Sequence, residues 1–292
     1  MDGEGGVLGI RALSRELITQ IYRRVVASTY QHFPVLLRIH RPVIDRGRYL
    51  LALSPTRFAI QLYRYPSLPR DDEQFLEYYL KTGMTYVDVG ANIGTTTLAA
   101  AHAVGATGNV ISFEPHPGTF RDLSTSIALN PELASRITII ASAVGDAPGQ
   151  AAISDLAEND VNHIDNCGIA VPITTLDEAL KALPHIDLLK VDVEGYEKNV
   201  FEGATRTLSK TDAVYFESCE ANFSQFGYSV DDLFDVLSAQ GFSCYAVHPG
   251  DFSLTRVGYG RHCVQGYENL LAHRALPLRR RESGWQPIHS GV

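Results

Sequence analysis

The residues most able to do chemistry stand where apolar runs end. In YVDVGANIG, residues 86–94, an alternating run carrying Asp88 stops at Gly90, Ala91 and Asn92, and a helical pattern opens at Gly94. Glycine permits a tight turn and close approach of a ligand to backbone. Asn92 tolerates left-handed geometry better than most residues. The helix start offers free N–H groups to an anionic ligand atom. The two glycines are four residues apart, which departs from the GxGxxG pattern of dinucleotide folds. Twenty residues after Gly94, the run VISFEPHP reaches Glu114, whose carboxylate can accept hydrogen bonds from both hydroxyls of a ribose. Ser142 and Ala143, small residues at the end of a third apolar run, leave room for an adenine ring.

The run HIDLLKVDVEGYE sets Lys190, Asp192 and Glu194 at period two, hence on one face of a strand. Charges are rarely buried unless paired, so an ion pair between Lys190 and Asp192 is one reading. The other is that these groups line the strand end, where Asp192 and Glu194 balance a cationic cofactor and take a proton from an acceptor. Glu217 in VYFESCE adds a further acid at a strand end. With Asp88, Glu114, Asp192 and Glu194 set against Lys190, the collection suits a positively charged ligand better than a pyrophosphate. S-adenosylmethionine, with a ribose, an ammonium and a sulfonium, meets that description. If the acceptor is a hydroxyl, a general base is required. His163, in DVNHIDN, is the first candidate by its titration range, followed by Asp192 and Glu194. A carboxylate acceptor would need none. Asp192 and Glu194 show no convergent third ligand, so no metal is assigned.

These residues need a scaffold that brings strand ends together. Strand patterns occur near 84–89, 109–114, 136–143, 186–193, 212–217, 242–247 and 268–273. Helical patterns lie at 71–81, 95–104, 117–129, 175–183, 196–209 and 229–240, with Thr175 and Glu178 at capping-box spacing. Such alternation predicts an α/β fold with a mostly parallel sheet and helices on both faces. Ligands then bind beyond the carboxyl ends of the strands, at the switch point in strand order. Residues 150–155 and 169–174 read as a hairpin carrying a polar excursion, an expected substrate loop.

Residues 1–70 read as an accessory segment, with a helix at 10–31 and two strands around Ser54-Pro55-Thr56 within 47–65. The apolar stripe of its helix suits a homodimer contact. The main α/β unit spans 71–273, and residues 274–292, with Arg279, Arg280 and Arg281, read as a solvated basic tail. A net charge of −8 argues against a nucleic-acid partner. The four cysteines lack CxxC spacing, and no signal peptide or run of 18 apolar residues is visible, so the expectation is a cytoplasmic protein without membrane insertion.

Taken together, YVDVGANIGTTTLAAA, VISFEPHP, ITTLDEAL, IDLLKVDVEGYEKNVFEGA and NLLA resemble, in order, the FkbM family of S-adenosylmethionine-dependent methyltransferases over about residues 71–273. The resemblance implies a Rossmann-like class I methyltransferase fold with a seven-stranded sheet whose last strand is antiparallel. It implies O-methylation of small molecules such as natural products or sugars, on hydroxyls or carboxylates. By the same resemblance Asp88, Gly90, Asn92 and Gly94 hold the methionine part and Glu114 the ribose, while Lys190, Asp192 and Glu194 border the acceptor. A nucleic-acid methyltransferase, an NAD-dependent oxidoreductase and a non-catalytic nucleotide-binding module are the competing readings. The Asn/Asp-Pro-Pro-aromatic motif of base amino methylation is missing after strand four.

Overall fold

The computed structural model describes residues 15–32, 42–54, 56–67, 70–154, 162–165, 168–260, 266–274, 278–281 and 284–287. The chain begins with helix α1 (Arg15–His32), the antiparallel pair β1 (Val43–Asp45) and β2 (Leu50–Ala52), and helix α2 (Arg57–Arg64). β2 matches the first of the two strands expected within 47–65, and α2 corrects the second. The Thr56 side chain accepts a hydrogen bond from the Ala59 N–H at 3.0 Å, and Ala59, Ile60, Leu62 and Tyr63 are buried together. A capped start and one apolar face make FAIQLYR a helix despite its partial alternation. The hairpin lies earlier in the chain, turning where the Arg46 N–H meets the Tyr49 carbonyl. On α1, Ala27 and Tyr30 are buried, whereas Leu17, Ile18, Ile21, Tyr22 and Val25 are exposed.

The remainder alternates as the patterns require. In order come α3 (Asp71–Tyr79), β3 (Thr85–Val89), α4 (Thr95–Ala103), β4 (Asn109–Phe113), α5 (Pro117–Ala128), α6 (Pro131–Ala134) and β5 (Ile137–Ile140). A small sheet follows from β6 (Ala143–Val144), β7 (Gly149–Ile153), β8 (Ile164–Asp165) and β9 (Ile169–Thr174), in which β7 pairs antiparallel with β9 as the expected hairpin. Then come α7 (Leu176–Ala179), β10 (Ile186–Val191), α8 (Glu197–Glu202), α9 (Thr205–Ser209), β11 (Thr211–Ser218), α10 (Glu220–Gln225) and α11 (Val230–Ala239). The last strands are β12 (Ser243–Val247), β13 (Leu254–Arg256), β14 (Glu268–His273), β15 (Leu278–Arg281) and β16 (Gly284–Pro287). The helix expected over 196–209 is two, interrupted at Gly203, where a Cβ would stand 2.0 Å from the Gly145 carbonyl oxygen.

The main sheet has the order β15-β16-β13-β12-β14-β11-β10-β3-β4-β5. Within it, β12-β14-β11-β10-β3-β4-β5 is the seven-stranded arrangement expected for class I methyltransferases, with β14 antiparallel to both neighbours. Three strands extend its β12 edge. The supposed basic tail is thereby corrected: Arg279, Arg280 and Arg281 lie in β15, paired with β16, which joins β13. Among the described residues no helix is long and apolar enough to cross a membrane.

The sheet separates two cores by simple alternation. Tyr86, Val110, Leu188 and Tyr215 face α3, α4 and the N-terminal segment, whereas Val87, Val89, Leu189, Val191 and Phe216 face α8, α9 and α11. Hydrogen bonds dock the N-terminal segment on α5 and the Asn130 turn that follows it, with the Asn130 amide also donating to the Leu50 carbonyl at 2.7 Å. Ala52 N–H donates to Ser126 Oγ, Ser54 Oγ donates to Asp122, and Leu50 N–H donates to Asn130 Oδ1. The chain runs outward from β3 to β5 and then returns to the other side of β3 as β10, so the switch point lies between β3 and β10.

Candidate active site

At that switch point the ends of β3 and β10 almost touch. The Asp192 N–H donates to the Val89 carbonyl at 3.0 Å, and Gly90 follows with φ +87°. A Cβ on Gly90 would stand 1.9 Å from the Asp192 carbonyl oxygen, so only glycine fits. Asn92, at φ +50°, accepts the Ile93 N–H on its own Oδ1, which stabilises the left-handed turn. Its N–H donates to Glu114 Oε2, while the His116 N–H donates to Oε1. The donor-side turn and the carboxylate at the end of β4 are thus one hydrogen-bonded unit. Burial, partly opposed by those two N–H groups, pushes Glu114 up to about 7.

A cavity of about 290 Å³ opens above this unit. Gly90, Ala91, Asn92, Glu114, Ser142 and Ala143 line it, with Thr95 and Thr96 from the first turn of α4. Lys190, Asp192, Glu194 and His163 line it as well, so most of the residues singled out by sequence converge on one space. Asp88 and Gly94 are not among its lining residues. Asp88 lies beneath, fully buried, accepting hydrogen bonds from the Thr96 and Thr97 hydroxyls at 2.9 and 2.7 Å. Gly94 is the left-handed residue that starts α4.

The cross-strand register explains Asp88 and Lys190. Ser112, Asp88, Lys190 and Tyr215 stand side by side across β4, β3, β10 and β11, forming a polar row inside the α4-facing core. The Lys190 ammonium is 2.9 Å from Asp192 and 3.8 Å from Asp88. Burial works to lower its pKa, but the carboxylates of Asp192, Asp88 and Asp72 more than offset this, and it stays charged. The ion-pair reading of Lys190 and the cavity reading of Asp192 both hold.

Asp192, Glu194 and Glu217 can bring carboxylate oxygens within 4.8 Å of one another. Burial first, then Asp192 and Glu194, push Glu217 up to about 9, so it carries a proton at neutral pH. Glu194 adopts φ +54° and accepts from the Asn222 amide at 3.0 Å. The loop below it is tied by buried Glu197, whose Oε1 receives the Val193 N–H at 3.0 Å. The Tyr228 hydroxyl donates to the Gly195 carbonyl at 2.7 Å. The sequence reading did not find Glu197, Asn222 or Tyr228, although the strained Glu194-Gly195 pair marks a loop that needs such support. It also missed Phe58, Arg70 and Asp72, which reach the cavity from outside the recognisable motif block. The third acid sought beside Asp192 and Glu194 is Glu217, which lies on a neighbouring strand rather than in the same motif.

The donor end fits S-adenosylmethionine on three counts. The Gly90 turn has no Cβ, the Glu114 carboxylate has its backbone-facing lone pairs already ordered, and Ser142-Ala143 are small. If Glu114 accepts ribose hydroxyls only when ionised, affinity for S-adenosylmethionine will fall as pH drops through about 7, approaching tenfold per pH unit below it. Glu114→Gln should bind weakly at every pH and lose that slope. Calorimetric titration across this range checks both, and a flat profile for the unmodified protein would remove Glu114 from ribose binding.

Comparison with known proteins agrees with the geometry. The chain is 31% identical over 135 residues to the hexuronic acid methyltransferase AglP of Haloferax volcanii, covering 44% of this chain and 54% of that protein. The chain therefore spans about half the length of this curated relative. Among solved structures, a methyltransferase FkbM from Methylobacillus flagellatus superposes with TM-score 0.43 at 17% identity, covering 72% of this chain and 46% of that one. An S-adenosylmethionine-dependent O-methyltransferase from Thermotoga maritima superposes with TM-score 0.44 at 14% identity, covering 82% and 87%. The methyltransferase FkbM domain matches residues 88–244, more than half of the chain and all of the switch-point site, and the chain belongs to that family.

Proposed function

We propose that the protein is an O-methyltransferase that moves the methyl group of S-adenosylmethionine to a hydroxyl of a small molecule, and that the acceptor is a sugar. One observation carries the reaction class. A single cavity joins the Gly90–Glu114 donor unit to a corner of three carboxylates, one of which is paired with Lys190. The bound cofactor supplies a sulfonium-linked methyl group open to in-line displacement. The chain's part is to align an acceptor oxygen with that methyl and to receive its proton.

The three acids divide these tasks by environment. Asp192 is paired with Lys190 at 2.9 Å and orients that ammonium at the cavity. Glu217 is already protonated and serves as a hydrogen-bond donor to the acceptor. Glu194 lines the cavity, accepts from the Asn222 amide at 3.0 Å, and is the carboxylate assigned as base. His163 borders the same cavity and is the competing base. The corner favours a hydroxyl over a carboxylate as the methylated group, because ionised Asp192 and Glu194 repel an anionic oxygen. The relative named as a hexuronic acid methyltransferase supports a sugar acceptor.

Transfer of labelled methyl from S-adenosylmethionine to a panel of free and aryl-linked sugars tests this reading. The expected product holds its label through mild alkali, as a methyl ether does. Label released by alkali would mean a methyl ester and overturn the hydroxyl assignment.

A further inference from the structure

The cavity contains a second cation besides Lys190, placed by a segment outside the family match. Arg70, immediately before α3, lines it beside Phe58 and Asp72. Its guanidinium carbon lies 4.2 Å from the centroid of the Phe58 ring, which fixes the plane of the fork. Its contacts with carboxylates are long. Nη2 is 3.4 Å from Asp72 Oδ2 and Nε is 3.7 Å from Glu73 Oε1, and the buried Nε–H has no hydrogen-bond partner.

Each neighbouring acid has one oxygen engaged elsewhere. Asp72 Oδ1 accepts from the Tyr215 hydroxyl at 3.0 Å and from the Asn269 amide at 2.6 Å. Glu73 Oε2 accepts from Arg46 at 2.8 Å. Lys190, by contrast, is neutralised by Asp192 and Asp88. Arg70 is therefore a held guanidinium with donors left over, in a cavity otherwise dominated by carboxylates. A planar fork of this kind matches a carboxylate in two-point fashion, which a neutral hydroxyl cannot reproduce.

We infer that Arg70 anchors a carboxylate of the acceptor, a group separate from the hydroxyl that receives the methyl. This rests on the sugar-hydroxyl reading above, and it names the acceptor class as a sugar acid. Arg70 acts as a specificity residue: it offsets the repulsion that Asp72, Asp192 and Glu194 would impose on an anionic acceptor.

The test uses the full chain loaded with S-adenosylhomocysteine, titrated calorimetrically with p-nitrophenyl glucuronide, the matching glucoside and glucose 6-phosphate. Labelled-methyl transfer to the first two is measured in parallel. The unmodified protein is expected to bind glucuronide about tenfold or more tightly than glucoside, the size expected for a charged hydrogen-bonded pair. Arg70→Gln, which keeps the stem over Phe58, should erase most of that preference, and Arg70→Lys should keep only part of it. No preference in the unmodified protein, or an unchanged one in Arg70→Gln, overturns the inference. Tighter binding of glucose 6-phosphate than of glucuronide overturns the carboxylate assignment. The two readings separate cleanly. An Arg70-dependent preference without methylation of either probe upholds Arg70 and sinks the sugar-hydroxyl reading, while methylation without that preference does the reverse.

Discussion

Lys190→Met is expected to destabilise the protein by about 3–5 kcal/mol, the usual cost of removing one partner of a buried ion pair. The cause is not the lost contact alone. Asp88 has no exposed surface, and its Oδ1 makes no hydrogen bond among the described residues, with the Lys190 ammonium 3.8 Å away. Without Lys190 an ionised carboxylate would be left inside the core between β3, β4 and α4. Adding Asp88→Asn should recover more than half of the loss, because Thr96 and Thr97 can still donate to the amide oxygen. Urea unfolding of the single and double variants measures both. If the double variant is no more stable than Lys190→Met, then Asp192 and not Asp88 is the group that needs the ammonium, and the row across the sheet has been misread.

The same row shows what the sequence could and could not disclose. The period-two spacing of Lys190, Asp192 and Glu194 placed all three on one strand face, and Asp88 and Glu114 at strand ends announced the switch-point geometry. The neighbour relations were hidden, because they depend on register. Lys190 stands opposite both Asp88 and Tyr215 only because β10 is threaded between β3 and β11. Asp88 was consequently expected to touch the cofactor, whereas it lies buried beneath the Gly90 turn and outside the cavity lining. Glu217 became part of the acid corner through the same threading. Helix α2 was misread for a local reason: FAIQLYRY supports both periods, and only the Thr56 cap decides between them. Arg70 and Asp72 gave no sequence signal beyond that of charged residues at a helix start, where acids are ordinary. Their place at the cavity follows from tertiary packing of α3.

Glu194→Gln is expected to lower kcat by about 10²–10⁴-fold while S-adenosylmethionine still binds, the range typical for loss of a general base. The loop should survive the change, since Asn222 can bond the amide oxygen of glutamine and Glu197 and Tyr228 hold the backbone independently. His163→Ala should cost far less. Its backbone N–H is tied to Ser154 Oγ at 3.1 Å, so the strand register at β8 does not depend on the imidazole. The two variants discriminate between the bases by the size of their kcat defects. With Glu194 as base, Glu194→Gln shows the larger loss; with His163 as base, His163→Ala does. Asp192→Asn is the necessary companion measurement. It frees Lys190 to pair with Glu194 or with ionised Glu217, so it should slow transfer by weakening the base while leaving that base in place. A kcat loss in Asp192→Asn equal to that of Glu194→Gln would mean that the carboxylates act as one unit sharing a proton, and the division of labour by environment would have to be replaced by a coupled one.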